Sequence, residues 1–140
     1  MLVIDSSVFA SVIVKDEFYE ECREYLLEDR ATVDIAFAET GNVLWKHVRM
    51  GRIVKEEVEK RANLLRALIS SSKVYGSDEL LLHSIELAVN QGITLYDALF
   101  LSLAIQLDTS LITTDRKLYE RLPPDLKRRV ILLGRETVVR

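Results

Sequence analysis

Four acidic residues stand apart from every other charge in this chain: Asp5, Glu39, Asp97 and Asp115. Asp5 ends the run Met-Leu-Val-Ile, and no further charge appears before Lys15. Glu39 is the only charge between Asp34 and Lys46, and Asp97 the only one between Glu86 and Asp108. Asp115 closes Ser-Leu-Ile-Thr-Thr-Asp at the exit of another apolar run. Carboxylates seldom leave water unless they are paired, hydrogen-bonded or bound to a cation. Two of them ~5 Å apart repel by roughly 3 kcal/mol at an effective dielectric near 20, so a cluster of four needs protons or an ion. Oxygen-only donors suit Mg²⁺ or Mn²⁺, which keep waters and substrate phosphate in their remaining positions. The chemistry such an ion supports is phosphodiester hydrolysis.

Each acid also has a structural use. Asp5-Ser6-Ser7 suits an Asx turn or a helix cap, and Thr94-x-x-Asp97 has capping-box spacing. Asp115 can cap the helix that follows it, and Glu39 can favour the positive end of a helix or simply face water. Caps alone give no reason for all four acids to meet. Other chemistries are poorly served. His47 and His83 have no partner at ligand spacing, so zinc is not expected. Cys22 reads as core, Ser6 and Ser7 have no His with which to form a triad, and no Gly-rich phosphate loop is present.

The elements that must position the acids alternate. Strands are expected at Leu2–Ile4, Thr32–Ile35, Lys73–Tyr75, Ser110–Thr113 and Val130–Leu133. Helices are expected at Ser7–Val14, Glu17–Glu28, Phe37–Met50, Lys55–Ile69, Asp78–Asn90 (closed by Gly92), Leu95–Leu107 and Arg116–Arg121. Leu95–Leu107 is apolar nearly all round and should be a central buried helix. Pro123-Pro124 is read as a break. The alternation predicts an α/β domain, a central parallel sheet flanked by α-helices in three layers, occupying residues 1–140 as one unit. Right-handed crossovers put the carboxyl ends of all strands on one edge, where ligands bind. Asp5 and Asp115 each follow a strand, and Glu39 and Asp97 fall in first turns of helices, so all four are expected on that edge.

The composition, 49% hydrophobic and 29% charged with few Pro and Gly, is that of a compact globular chain and not a disordered one. One cysteine excludes an internal disulfide, no charged leader opens the chain, and no apolar run is long enough for a membrane span. A cytoplasmic protein is expected. The net charge of −3 argues against an indiscriminate polyanion binder, yet residues 116–129 hold six bases and two acids. Such a segment directly after Asp115 could grip phosphates, Arg116 and Lys117 first, although a solvated helix face is the commoner use.

Val3-Ile4-Asp5-Ser6-Ser7-Val8, Ala38-Glu39, Leu95-Tyr96-Asp97-Ala98 and Leu111-Ile112-Thr113-Thr114-Asp115-x-x-Leu118, in that order, resemble the PIN-domain nucleases and, within them, the VapC-like toxins. The resemblance spans the chain and implies a Mg²⁺- or Mn²⁺-dependent endoribonuclease in which Asp5, Glu39, Asp97 and Asp115 are the catalytic and metal-binding acids. It implies that Ser7 and Thr113 orient those acids by hydrogen bonds, and that in-line attack by an activated water leaves 5′-phosphate and 3′-hydroxyl ends. RNA as substrate, a small antitoxin protein as partner and a homodimer are implied as well. The amphipathic segments 17–28 and 55–69 are candidate docking surfaces. A PIN nuclease of RNA processing without an antitoxin is the alternative within the family. An inactive nucleic-acid-binding or interaction module is the alternative outside enzymes.

Overall fold

Val3, Ile4, Leu111 and Ile112 are wholly buried, as expected of strands covered on both faces of a sheet. The computed structural model describes residues 1–134. In it β1 (Leu2–Ile4), β2 (Arg30–Val33), β3 (Lys73–Tyr75), β4 (Leu111–Thr113) and β5 (Val130–Leu132) form one parallel sheet in the order β3-β2-β1-β4-β5. Val3 lies level with Ala31 on one side and Leu111 on the other. The strand order reverses at β1, which opens a crevice between the carboxyl ends of β1 and β4.

The helices are α1 (Ser6–Val14), α2 (Tyr19–Tyr25), α3 (Ala36–Arg49), α4 (Val58–Ser70), α5 (Ser77–Gln91), α6 (Leu95–Gln106), α7 (Arg116–Arg121) and α8 (Pro124–Lys127). Right-handed crossovers put those between β1 and β3 on one face and those between β3 and β5 on the other, giving three layers. α6 packs on β1, β2 and β4 with α5 against it, and every residue from Ala98 to Ala104 is buried. α1 packs against α2, α3 and α4. Gly92 closes α5 at φ 68, a left-handed conformation that a Cβ would disfavour.

Several boundaries differ from expectation for identifiable reasons. Asp16 Oδ1 accepts from the Phe18 backbone N–H at 3.0 Å, a local turn that keeps residues 17 and 18 out of α2. At the other end of α2, Arg30 Nη1 donates to the Leu26 carbonyl at 2.7 Å and to that of Glu28 at 3.3 Å. The second strand runs Arg30–Val33 and not Thr32–Ile35, because Arg30 pairs with Leu2 and Ile35 already serves as the N-cap of α3. The 55–69 segment begins with a separate 3₁₀ turn, Lys55–Glu57. Pro123-Pro124 does not simply break the chain. Pro124 starts α8, where its missing N–H costs nothing and its fixed φ favours a helix.

Candidate active site

Asp5, Glu39, Asp97 and Asp115 all line one open cleft of about 290 Å³, together with Ser6, Ser7, Asn42, Val43 and Phe100. Asp5 follows β1 and Asp115 follows β4, so adjacent parallel strands bring residues 110 positions apart to one edge. Glu39 enters from the first turn of α3, and Asp97 from the first turn of α6.

The cap roles and the cleft positions turn out to be compatible. Asp5 is the N-cap of α1 and accepts from the Ser7 backbone N–H at 3.0 Å. Asp115 is the N-cap of α7 and accepts from the Leu118 N–H through Oδ1 at 3.1 Å. Thr94 caps α6 by accepting from the Asp97 N–H at 3.1 Å, which leaves the Asp97 carboxylate for other use.

A hydroxyl relay locks Asp5. Ser7 Oγ donates to Asp5 Oδ1 and Thr113 Oγ1 donates to Asp5 Oδ2, each at 2.5 Å. The two hydroxyls in turn accept backbone N–H groups from β4's exit: Thr114 N–H to Ser7 Oγ at 2.9 Å, and Asp115 N–H to Thr113 Oγ1 at 3.0 Å. Both hydroxyl protons are thus committed to Asp5, and the 3.3 Å approach of Ser7 Oγ to Thr113 Oγ1 is a contact of two oxygens. Separately, Ser6 Oγ donates to Glu39 Oε1 at 2.7 Å.

Burial pushes the Asp5 carboxyl up to about 7, against its hydrogen bonds from Ser7 and Thr113 and with help from the charges of Asp97 and Asp115. Burial also raises Asp97, to about 6, and the charges of Asp115 and Glu39 add to it, while Thr94 and Arg121 work the other way. Glu39 is raised by burial and partly relieved by Ser6. Clustered acids with raised affinity for protons are the electrostatic signature of a site that a cation would relax.

Among the described residues no three His, Cys, Asp or Glu side chains stand as a preformed ligand set. The donors still suit a water-rich ion, since Mg²⁺ keeps several waters and takes only one or two carboxylates. Of the four cleft acids, Glu39 Oε2 and Asp115 Oδ2 accept no protein hydrogen bond among the described residues, and the Asp97 carboxyl has the Thr94 side chain as its one hydrogen-bond partner. The histidines stay out of the cleft. His47 Nδ1 lies 3.0 Å from the Val43 carbonyl, and His83 Nδ1 lies 2.8 Å from Ser102 Oγ, tying α5 to α6. Cys22 is buried in the core, its thiol pushed up to about 12 by desolvation.

The basic stretch after Asp115 is divided between two edges of the sheet. Arg116 and Lys117 are exposed at the start of α7, beside the cleft, with Arg116 3.9 Å from Glu120. Arg128 and Arg129 precede β5 at the amino edge, where Arg129 Nη1 meets Asp108 Oδ1 at 3.3 Å. Only the first part can serve a ligand in the cleft. Asn42 and Ser6 were not singled out from sequence. Asn42 lies one helical turn beyond Glu39, a spacing that does put it on the same face.

The sequence matches the PIN domain family over residues 2–122. It is 33% identical over 124 residues to Ribonuclease VapC3 of Pyrobaculum aerophilum, covering 87% of this chain and 95% of that protein. It is 30% identical over 116 residues to Exonuclease VapC9 of the same organism, covering 83% and 81%. The crystal structure of PAE2754 from Pyrobaculum aerophilum superposes with a TM-score of 0.66 at 26% identity, over 98% of this chain and 85% of that one. A toxin–antitoxin complex from Klebsiella pneumoniae gives a TM-score of 0.66 at 16% identity, over 94% and 96%, a likeness of fold. The chain belongs to the PIN-domain family, as a VapC-like nuclease.

Proposed function

We propose that this protein is a Mg²⁺- or Mn²⁺-dependent endoribonuclease and the toxin of a toxin–antitoxin pair, acting in the cytoplasm. The observation that carries the reading is the gathering of Asp5, Glu39, Asp97 and Asp115 in one cleft at the strand-order reversal. The relatives named ribonuclease and exonuclease support nucleic-acid hydrolysis. Asp97, Glu39 and Asp115 are the residues that would hold the ion, with the buried Asp5 at the base of the cluster. When bound, the ion supplies positive charge for the phosphoryl group and makes a water more acidic.

The chain's own groups do the rest. Asp5, fixed by two hydroxyls, keeps the ends of β1 and β4 in register at the cleft floor. Asp97, fixed on the first turn of α6 by the Thr94 cap, would help hold the ion and orient the attacking water. Arg116 and Lys117 flank the cleft and would contact RNA phosphates. Phe100 and Val43 form its apolar wall.

The partner surfaces are part of the same reading. Phe37, Gly41, Trp45 and Val48 of α3 face Val58, Ala62 and Leu65 of α4 across an apolar groove of about 650 Å³ with Lys55 and Arg66 at its edges. Its apolar lining and basic rim suit an amphipathic helix bearing acids, supplied by the antitoxin; the expected surface at 55–69 is one wall of it. Leu82, Ile85 and Val89 form an exposed stripe on α5, 71%, 43% and 76% accessible, which a second copy of the chain would cover.

The test is incubation of purified protein with circular and linear RNA, with and without Mn²⁺, beside Asp5→Asn and Asp97→Asn. Cleavage of circular RNA that requires Mn²⁺ and vanishes in both variants is expected. Cleavage by both variants at the wild-type rate would remove the assignment, and digestion confined to linear ends would make the enzyme an exonuclease.

A further inference from the structure

Consecutive serines at the start of α1 serve different acids. Ser7 turns toward β4 and, with Thr113, holds Asp5. Ser6, the first residue of α1, turns the other way, because successive helical residues point about 100° apart. Its hydroxyl spans to α3 and donates to Glu39 Oε1 at 2.7 Å, across 33 positions of sequence. The next residue of α3, Thr40, is wholly buried, and its hydroxyl lies 3.5 Å from the Ser6 carbonyl. The first turns of α1 and α3 therefore meet twice at one residue.

This contact has no evident need in the fold. Glu39 is only half-buried and could turn to water, and α1 and α3 pack extensively against each other within one apolar core. What the bond does is fix the orientation of the carboxylate, leaving Oε2 as the Glu39 oxygen with no hydrogen bond among the described residues. A glutamate has three rotatable bonds before its carboxylate, so an unpinned Glu39 would offer either oxygen, or both, in several orientations. Partners of this kind behind a ligating group commonly change metal affinity or activity by 10- to 100-fold when removed.

Building on the proposed metal-dependent nuclease, we propose that Ser6 is a positioning residue that fixes the Glu39 carboxylate in the orientation in which it would hold the divalent ion. Ser6 acts only through Glu39.

The experiment is a double-mutant cycle read by Mn²⁺ affinity, followed by electron paramagnetic resonance of the free ion without RNA, and by the cleavage rate at saturating RNA. Ser6→Ala is expected to weaken Mn²⁺ binding about tenfold. Ser6→Thr, which keeps the hydroxyl, should restore affinity to within about twofold of wild type, and Ser6→Ala should add nothing in a Glu39→Gln background. An unchanged affinity in Ser6→Ala overturns the proposal, as does an equal loss with and without Glu39. Mn²⁺ binding that follows this cycle in a protein that cleaves no RNA would uphold the role of Ser6 and overturn the nuclease reading. A wild-type protein that binds no Mn²⁺ overturns both.

Discussion

Thr113 and Asp5, separated by 108 positions, are joined by a 2.5 Å hydrogen bond at the carboxyl ends of adjacent parallel strands. The Thr113 hydroxyl is also the acceptor for the Asp115 backbone N–H, so one oxygen orients two of the four cleft acids. Thr113 is wholly buried, and no water can replace it without rearrangement.

Thr113→Val keeps the shape and removes the hydroxyl, leaving an unpaired buried carboxylate oxygen and an unpaired N–H. A loss of about 1–3 kcal/mol of stability is expected, measured by urea unfolding. Thr113→Ser should recover most of it. A variant as stable as wild type would show that Asp5 does not depend on this bond.

The pH dependence of stability follows from Asp5 and Asp97, both raised above the ordinary carboxyl range by burial first. Between the ordinary value of 3.8 and about 7 the folded protein holds a proton on Asp5 that the unfolded chain has released. Raising the pH through that interval therefore lowers stability, and the contribution is fully present only below it. In chelator, the Tm should be higher at about pH 5 than at about pH 8, and Mn²⁺ should raise the Tm at the upper pH more than at the lower. Asp5→Asn should flatten the profile, and a Tm that instead climbed steadily through this range in chelator would contradict the assignment.

The divided basic segment predicts different roles for neighbouring cations. Lys117→Ala should weaken RNA binding and reduce the salt slope by about 0.7, the amount for one phosphate contact on a single strand. Arg128→Ala, on the opposite edge of the sheet, should leave both unchanged. Fluorescence anisotropy of labelled RNA at several salt concentrations, using Asp97→Asn to prevent cleavage, would reveal equal effects if the whole segment binds RNA.

Gly41 lies inside α3, and a Cβ there would meet nothing within 4 Å. Gly41→Ala should therefore stabilise the protein by about 0.5–1 kcal/mol in thermal or urea unfolding. Gly41→Leu should fill the apolar groove and block antitoxin capture while leaving cleavage intact. Unimpaired capture by Gly41→Leu would move the docking site elsewhere.

The strands, the buried helix and the meeting of the four acids were legible because each rests on a local pattern. An isolated carboxylate after a short apolar run is visible in one dimension, and parallel topology then decides which edge it occupies. What was not legible depends on bonds between distant residues. The end of α2 is set by Arg30 reaching the Leu26 carbonyl, which no periodicity within residues 17–28 announces. Ser6 was set aside for want of a histidine, since its partner, Glu39, is visible only when α1 and α3 are side by side. Composition showed the basic segment as one block, but the turn into β5 carries half of it to the other end of the sheet.

α6 is buried on every side from Ala98 to Ala104, and the cleft sees it only in its first two turns, at Asp97 and Phe100. Asp97 thus rides on the last part of the molecule to open. Local fraying can release α7 or the end of α2, but freeing Asp97 means undoing the packing of β1, β2 and β4. Heat should then release Asp97 only with global unfolding, whereas Asp115, which caps α7, is exposed to any earlier fraying of that helix. Amide hydrogens of residues 98–104 should exchange only through that same global event.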